Sequence, residues 1–409
     1  FSVDNLSLVV LFSIGMVVTA GFLVANKTIG LKAVNFTNLV MVITLGMNGI
    51  ALVTDLFSLY VFLEITGVAS YVLIAFNTER NGLEGAFKYL VMSAIATAFI
   101  LGGLAFVFME SGSLIFRDVT AAMLNWQSAN EPALLIVAFI MLITGFSIKS
   151  GIMPFHGWLP DAYQSAPAAV SVILGGIVTK MVGVYAILRI TSQLFAQVEM
   201  IQQVLTVLAI ISIVGGAVAA IGQKDFKRIL AYSSISQIGY IVLGAACGSV
   251  VGFIGAVLHF FNHATFKTTL FMNSSAVEIA TGTTDIEKLG GLQDKMPITG
   301  VSSILAFLST AGIPPLAGFW SKLLIIIAVW QTGHQAIAGV ALFASIFTAA
   351  YFLRLQRQVF FGPVAEGLEE IKEVKGGIAV ASVVLSVITV GFGLLFPAVL
   401  LFLQSQGMI

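Results

Sequence analysis

Apolar stretches of about 20 residues, separated by short polar breaks, recur from one end of this 409-residue chain to the other. A stretch of that length crosses the hydrocarbon core as a helix, which satisfies every backbone N–H and C=O internally. Twelve such helices are expected, near 7–25, 35–53, 56–76, 85–109, 132–150, 168–190, 201–222, 229–247, 250–275, 298–328, 335–357 and 377–402. Several runs are rich in β-branched residues, but strand-like alternation is missing and the segments are too long for barrel strands. Composition agrees: 58% of residues are hydrophobic and 9% charged, against roughly 25% charged in a soluble domain. The expected fold class is an all-α integral membrane protein, one transmembrane domain over residues 1–409, with the lipid bilayer as its solvent.

Other classes are excluded on chemistry. Nineteen basic and nineteen acidic residues balance, leaving no basic stripe for nucleic acid. A single cysteine, Cys247, provides no disulfide framework, thiolate zinc site or Cys-ligated cluster. Any redox chemistry the protein serves therefore belongs to another subunit. Residues 1–6 carry no positive charge ahead of the first apolar run, so no cleavable leader is expected there.

Basic residues in alternate loops divide unevenly. Thirteen lie on one side (Lys27, Lys32, Arg80, Lys88, Lys224, Lys227, Arg228, Lys288, Lys295, Arg354, Arg357, Lys372 and Lys375), and only Arg117 and Arg189 on the other. The positive-inside rule makes the first side cytoplasmic and both termini external, in a cell (inner or plasma) membrane.

The other four basic residues, Lys149, Lys180, Lys267 and Lys322, fall inside expected helices, as does Glu64. A charge at mid-helix costs about 2.5–3.5 kcal/mol even on the lenient insertion scale, so five facing lipid would cost over ~12 kcal/mol. All five must face the bundle interior, and each is a functional-site candidate.

Two spans are interrupted. The first reads Lys149-Ser-Gly-Ile-Met-Pro-Phe-His-Gly-Trp-Leu-Pro-Asp161, the second Ala311-Gly-Ile-Pro-Pro-Leu-Ala-Gly-Phe-Trp-Ser-Lys322. Irregular backbone at membrane depth is tolerated only inside protein or around a wet cavity, and paired interruptions in two halves point to inverted repeats around an ion site. Each break has a lysine close by, although Lys149 precedes its break and Lys322 follows its own by about two turns. A proline kink that serves packing alone is the competing reading. Between the breaks, His259, His263 and Lys267 recur at i, i+4, i+8 and form one polar helix stripe. Imidazoles can pass protons near neutral pH, and structural hydrogen bonding inside the bundle is the competing reading. Metal ligation by the two histidines would need further ligands, and a lysine one turn away argues against it. His156 is either a gate or a cap, with Asp161 as its companion in the gate reading.

These features together resemble the antiporter-like proton-translocating subunits of respiratory complex I, shared with Mrp-type sodium/proton antiporters and energy-converting membrane-bound hydrogenases. The residues that carry the resemblance are Lys149 with Pro154-Phe-His-Gly-Trp-Leu-Pro-Asp-Ala162, Ala166-Pro167 and Gly175-Gly-Ile-Val-Thr-Lys180. With them go Asp225-Phe-Lys-Arg-Ile-Leu-Ala-Tyr-Ser-Ser-Ile-Ser-Gln-Ile-Gly239, the His259/His263/Lys267 stripe and Gly312-Ile-Pro-Pro. The resemblance implies that Glu64 partners Lys149, that Lys180 is the central lysine, that His259, His263 and Lys267 form the relay, and that Lys322 is the terminal group. It also implies two inverted five-helix repeats, each with a broken helix, over approximately 35–195 and 200–357, followed by a final helix at 377–402. The family usually has 14 helices. Against that pattern this sequence starts at what looks like the third helix, which leaves the first two absent, separate or unrecorded, and it stops after the last helix, before the position of the long lateral helix that extends the largest such subunits.

The implied function is proton translocation along this buried axis as a translocase subunit of a redox-driven pump of the complex I or membrane-bound hydrogenase type. A Mrp-type secondary Na⁺/H⁺ antiporter subunit is the alternative. Iron–sulfur clusters, flavin or nickel–iron centres are expected only in partner subunits, and the partners are antiporter-like paralogues and small membrane subunits. No cofactor or metal site is expected in this chain. The physical core of the mechanism is a balance: burial disfavours a charged lysine by up to ~3–5 pKa units. A carboxylate ~4 Å away at an effective dielectric near 20 favours it by ~4 kcal/mol. Making or breaking an ion pair therefore decides whether such a lysine holds its proton.

Overall fold

The computed structural model describes residues 1–126, 133–194 and 198–405. The expected helix start at residue 132 and repeat boundary at residue 195 lie outside them. Among the described residues the only extended pairings are two single-residue bridges, and the rest is helix and connecting turn.

The first part contains α1 (Asn5–Thr28), α2 (Ala33–Leu52), α3 (Leu56–Ile74), α4 (Arg80–Ser111) and α5 (Phe116–Trp126). A broken region follows, α6 (Ala133–Ser150) and α7 (Trp158–Ser165), and then a rod that is buried along all but its last two residues. The rod begins as α8 (Ala168–Ile173), widens to π-helix over Leu174–Val178 and Lys180–Tyr185, and ends as α9 (Ala186–Gln193). Next come α10 (Glu199–Ile221), α11 (Phe226–Ala246), α12 (Val250–Thr281) and the single turn α13 (Leu292–Lys295). A second broken region, α14 (Pro297–Ala311) and α15 (Ala317–Gln331), leads to α16 (Gln335–Val359) and α17 (Gly377–Ser405). Nine helices among the described residues are long and apolar enough to cross a membrane. The broken pieces are shorter, and α12 has the length but carries the polar stripe.

Both interruptions fall where the sequence places them. Gly151 and Gly312 end α6 and α14 with φ of 66° and 85°, a left-handed conformation that a Cβ disfavours. Short α7 forms beyond the first break even though Pro160 lies within it, because a proline in the first helical turn removes only an N–H that has no partner there. α5, a short helix ahead of α6, was not expected from the sequence. α4 and α12 run longer than expected, each 32 residues and each ending at a left-handed glycine, Gly112 and Gly282.

Two turns use the same construction 170 residues apart. Asp55 caps α3 through Ser58 N (2.7 Å) and bridges Ile115, while Asp225 caps α11 through Arg228 N (2.9 Å) and bridges Asp285. Reciprocal backbone bonds close both: Leu56 N to Leu114 O (2.9 Å) with Phe116 N to Thr54 O (3.1 Å), and Phe226 N to Thr284 O (2.8 Å) with Ile286 N to Lys224 O (2.9 Å). The first turn lies beside the chain start, where Ser2 N donates to Leu52 O (2.8 Å). The second shares a surface cleft with Asn81, Glu84, Lys88 and Asp161 at the opposite end of the bundle.

Candidate functional site

All five charges expected inside the bundle are there, four of them nearly or fully buried and Glu64 partly so. Lys149, in the last turn of α6, donates to Glu64 Oε1 of α3 at 2.9 Å and to Ser93 Oγ of α4 at 2.8 Å. Thr97, one turn beyond Ser93 on α4, donates to the same Glu64 oxygen at 2.6 Å. Lys149 is 1% exposed and Glu64 27%, so the pair is dry on the lysine side. Each group has an ionic partner and a hydroxyl, which is what a buried pair needs if it is to persist.

Lys180 is held differently. Its ammonium folds back onto Gly175 O, five residues earlier, at 2.5 Å. The π-helical stretch supplies that acceptor, since the wider turn replaces i→i+4 bonding with i→i+5 and loosens the local ladder. The rod touches the broken region at Gly183, where a Cβ would come within 2.5 Å of Ser150 N. Only a glycine lets the end of α6 approach the Lys180 helix so closely.

The polar stripe of α12 faces α11, α15 and α16. Lys267 donates to Leu230 O (3.0 Å) and Ser233 Oγ (2.6 Å), and Tyr351 donates to that same Ser233 oxygen (2.8 Å). His259 lies 2.9 Å from Ser321 Oγ and 3.2 Å from Gln237 Oε1, so hydroxyl and amide oxygens occupy both its ring nitrogens. Its ring centroid is 6.4 Å from that of His263. Both ring nitrogens of His263 are buried without a hydrogen-bond partner among the described residues, and buried polar groups of this kind are normally satisfied by water. Lys322 follows Ser321 on α15, donates to Thr310 O across the second break at 2.8 Å, and stands 4.4 Å from the centre of the Tyr240 ring. A cation over an aromatic face is a weaker anchor than a carboxylate. No carboxylate pairs with Lys180, Lys267 or Lys322 among the described residues.

His156 and Asp161 lie apart from this axis. The half-buried His156 ring has Nδ1 3.3 Å from Pro154 O. Asp161 accepts from Lys88 at 2.7 Å and from Arg228 at 2.6 Å, tying α7 to α4 and α11.

Two charges assigned to loops from the sequence prove to be buried. Arg189, counted with the outer loops and expected at the outer end of its helix, is 7% exposed and chelates Asp4 while donating to Tyr185 Oη at 2.6 Å. The guanidinium holds the Asp4 carboxyl well below the usual carboxylate range. Lys227, expected in the charged loop before α11, is 3% exposed and pairs with Glu278 of α12 at 2.7 Å. Neither lies well inside an apolar run, so hydropathy carried no sign of their burial. Both sit within about one turn of a helix end, where only the neighbouring helices decide whether water reaches them.

Residues 53–348 match the family described as NADH:quinone oxidoreductase/Mrp antiporter, transmembrane. Among related sequences, NADH-quinone oxidoreductase subunit N of Desulforudis audaxviator is 35% identical over 350 residues, covering 85% of this chain and 69% of that protein. A Na⁺/H⁺ antiporter subunit of Alkalihalophilus pseudofirmus is 34% identical over 318 residues, covering 78% of this chain and 64% of that protein. Among solved structures, a subunit of the Mrp complex from Dietzia matches with a TM-score of 0.86 at 25% identity, covering 97% of this chain and 82% of that one. A chain of the archaeal membrane-bound sulfane sulfur reductase matches at 0.87 and 27%, covering 96% and 65%. A chain of Thermus thermophilus respiratory complex I with bound aureothin matches at 0.80 and 29%, covering 97% and 86%.

Proposed function

This chain belongs to the NADH:quinone oxidoreductase/Mrp antiporter transmembrane family, and from that premise we propose that it is a proton-translocating, antiporter-like subunit of a redox-driven membrane complex. The observation that carries the proposal is the contrast within one buried axis: an ion pair at Glu64–Lys149, then three lysines held only by neutral groups. A proton released when the pair opens passes from Lys149 to Lys180, and by the His259, His263 and Lys267 stripe to Lys322. Displacement of one charge changes the stability of the next, so a distant redox module can drive transport without a cofactor in this chain. Iron–sulfur, flavin or nickel–iron centres belong to the partner subunits in this reading.

The expected architecture is twelve spans: the nine long apolar helices, α12, and the two broken regions counted once each. The Asp55 and Asp225 turns, alike in construction and at opposite ends of the bundle, support two inverted repeats over approximately 35–195 and 200–357. Both termini then face the exterior. Burial of Arg189 against Asp4 supports that orientation, because it removes one of only two basic residues from the outer loops. The Asp161 contacts with Lys88 and Arg228 suit a latch at the cytoplasmic end.

Glu64→Gln tests the proposal. In liposomes containing the whole complex, this variant is expected to assemble normally and to lose at least nine-tenths of ΔpH formation. Unimpaired pumping rules out the pair as the coupling element. The Mrp-type alternative, a secondary Na⁺/H⁺ antiporter subunit, draws on the Alkalihalophilus and Dietzia matches. Subunits that co-purify with the chain separate the two readings: flavin or nickel–iron proteins indicate the first, small Mrp-type membrane subunits the second.

A further inference from the structure

The polar stripe of α12 does not stop at Lys267. Ser274 and Glu278 follow at i+7 and i+11, which at 3.6 residues per turn places them within about 20° of Lys267 around the helix. They continue the His259/His263/Lys267 face toward the end of the bundle that carries Lys224, Lys227 and Arg228. Along the axis, Ser274 lies about 10 Å from Lys267 and Glu278 about 6 Å beyond it. Ser274 Oγ is fully buried and has no hydrogen-bond partner among the described residues, unlike its neighbour Ser275, which donates to Phe271 O and Ala168 O. Glu278 is one-third exposed, and its carboxylate covers the buried Lys227 ammonium at 2.7 Å. Lys227 also donates to Ala166 O at 3.2 Å. On α11, the Leu230 carbonyl that holds Lys267 is only three residues beyond Lys227. The stripe therefore joins a carboxylate in contact with water to a buried lysine, with one unsatisfied hydroxyl between them.

We propose that Glu278 is the proton-entry residue for Lys267, with Lys227 as its gate and the Ser274 hydroxyl as the relay between them. This rests on the proton-carrying role proposed above. A proton from water on the Lys227 face binds the Glu278 carboxylate, and the neutral acid releases Lys227. As the acid gives its proton to the Ser274 hydroxyl, that hydroxyl passes its own proton to water admitted to the stripe, because the roughly 10 Å to Lys267 is too far for direct transfer. That relay protonates the neutral Lys267 amine, and the regenerated carboxylate closes again on Lys227. Lys267 is thus loaded from Glu278, while opening of the Glu64–Lys149 pair still drives each turnover.

The test compares initial rates of ΔpH formation by the reconstituted complex, with Glu64→Gln as the control for the function itself. Glu278→Gln is expected to slow transport at least tenfold, with partial recovery in Glu278→Asp. Ser274→Ala should slow it several-fold and Ser275→Ala should leave it unchanged. If Glu278 is only a counter-charge for Lys227, the double variant Glu278→Gln/Lys227→Gln restores the charge balance and pumps normally, which overturns the proposal. A double variant as slow as Glu278→Gln supports it. If Glu64→Gln is inactive while all Glu278 variants pump like the wild type, the entry route fails and the function stands. Unimpaired Glu64→Gln removes the function beneath both. A second measurement needs no pumping: Ser274→Cys in a Cys247→Ser chain should react with a charged methanethiosulfonate reagent applied from the Lys227 face. Failure to label a correctly assembled complex also overturns the proposal.

Discussion

Lys149 and Lys180 are both buried lysines in the interior of the same bundle, yet they are held by opposite means. Lys149 has a carboxylate at 2.9 Å and a hydroxyl at 2.8 Å, whereas Lys180 has one backbone carbonyl, offered by a stretch of π-helix. Burial penalises the ammonium form of both, but only Lys149 receives Coulombic compensation of comparable size. In the proposed function, this difference separates a site that retains a proton until its partner moves from one that passes a proton on. Lys267 and Lys322 belong with Lys180: their anchors are carbonyls, a serine hydroxyl and the face of Tyr240.

The strongest way to break this comparison is Lys180→Arg. Arginine keeps the charge but stays protonated above pH 12, so a carrier is lost while a counter-charge is kept. The variant is expected to fold, assemble and lose nearly all pumping, alongside Lys180→Ala. Substantial ΔpH formation by the arginine variant alone would make Lys180 a structural charge.

Ser233→Asp sharpens the contrast by giving Lys267 what Lys149 already has. A carboxylate in place of the hydroxyl at 2.6 Å favours the ammonium by as much as ~4 kcal/mol, and transport is expected to fall tenfold or more. An aspartate variant with wild-type rates would show that release from Lys267 does not limit transport.

Thr97→Val removes the hydroxyl that shares the Glu64 oxygen with Lys149, without touching the ion pair. The loss of a hydrogen bond to a charged group is worth about 1.5–3 kcal/mol. A loss of roughly fivefold or more in pumping rate is therefore expected, and Thr97→Ser should recover most of it. Recovery by serine, with only a hydroxyl restored, distinguishes a proton-positioning role from simple packing.

The smallest effect on transport is expected from Arg189→Gln, because its charge serves Asp4 and Tyr185 rather than the axis. Stability is where it should register, with a loss on the order of 1 kcal/mol seen as a lower Tm. Asp4 has its carboxyl pKa depressed by Arg189. The pair's contribution is thus fully present above the unfolded aspartate value and is lost only as pH falls through the lower folded one. The Tm difference between wild type and variant should accordingly be constant from pH 5 to 8. A difference that vanished within that range would mean the pair is not formed.

Much of this could be read along the chain, because hydropathy and helical period are local properties. The positions of the apolar helices, the breaks at Gly151 and Gly312, and the interior location of Lys149, Lys180, Lys267, Lys322 and Glu64 follow from the cost of leaving charge or unpaired backbone in hydrocarbon. The α12 face was legible for the same reason as far as Lys267. Its continuation through Ser274 to Glu278 was missed, since a serine and a glutamate near a helix end look like ordinary surface chemistry. Partners that come from other helices could not be read at all. Ser93 and Thr97 meet the Lys149–Glu64 pair, and Ser233 and Tyr351 meet Lys267, across separations of 33 to 118 residues. Arg189 and Lys227 became buried for the same reason, through Asp4 and Glu278 on distant segments. Hydrocarbon forces every charged side chain to find a neutralising or hydrogen-bonding partner, so sequence alone determined which residues must turn inward. Which partner each one finds depends on how helices far apart in sequence pack, and only the tertiary structure decided that.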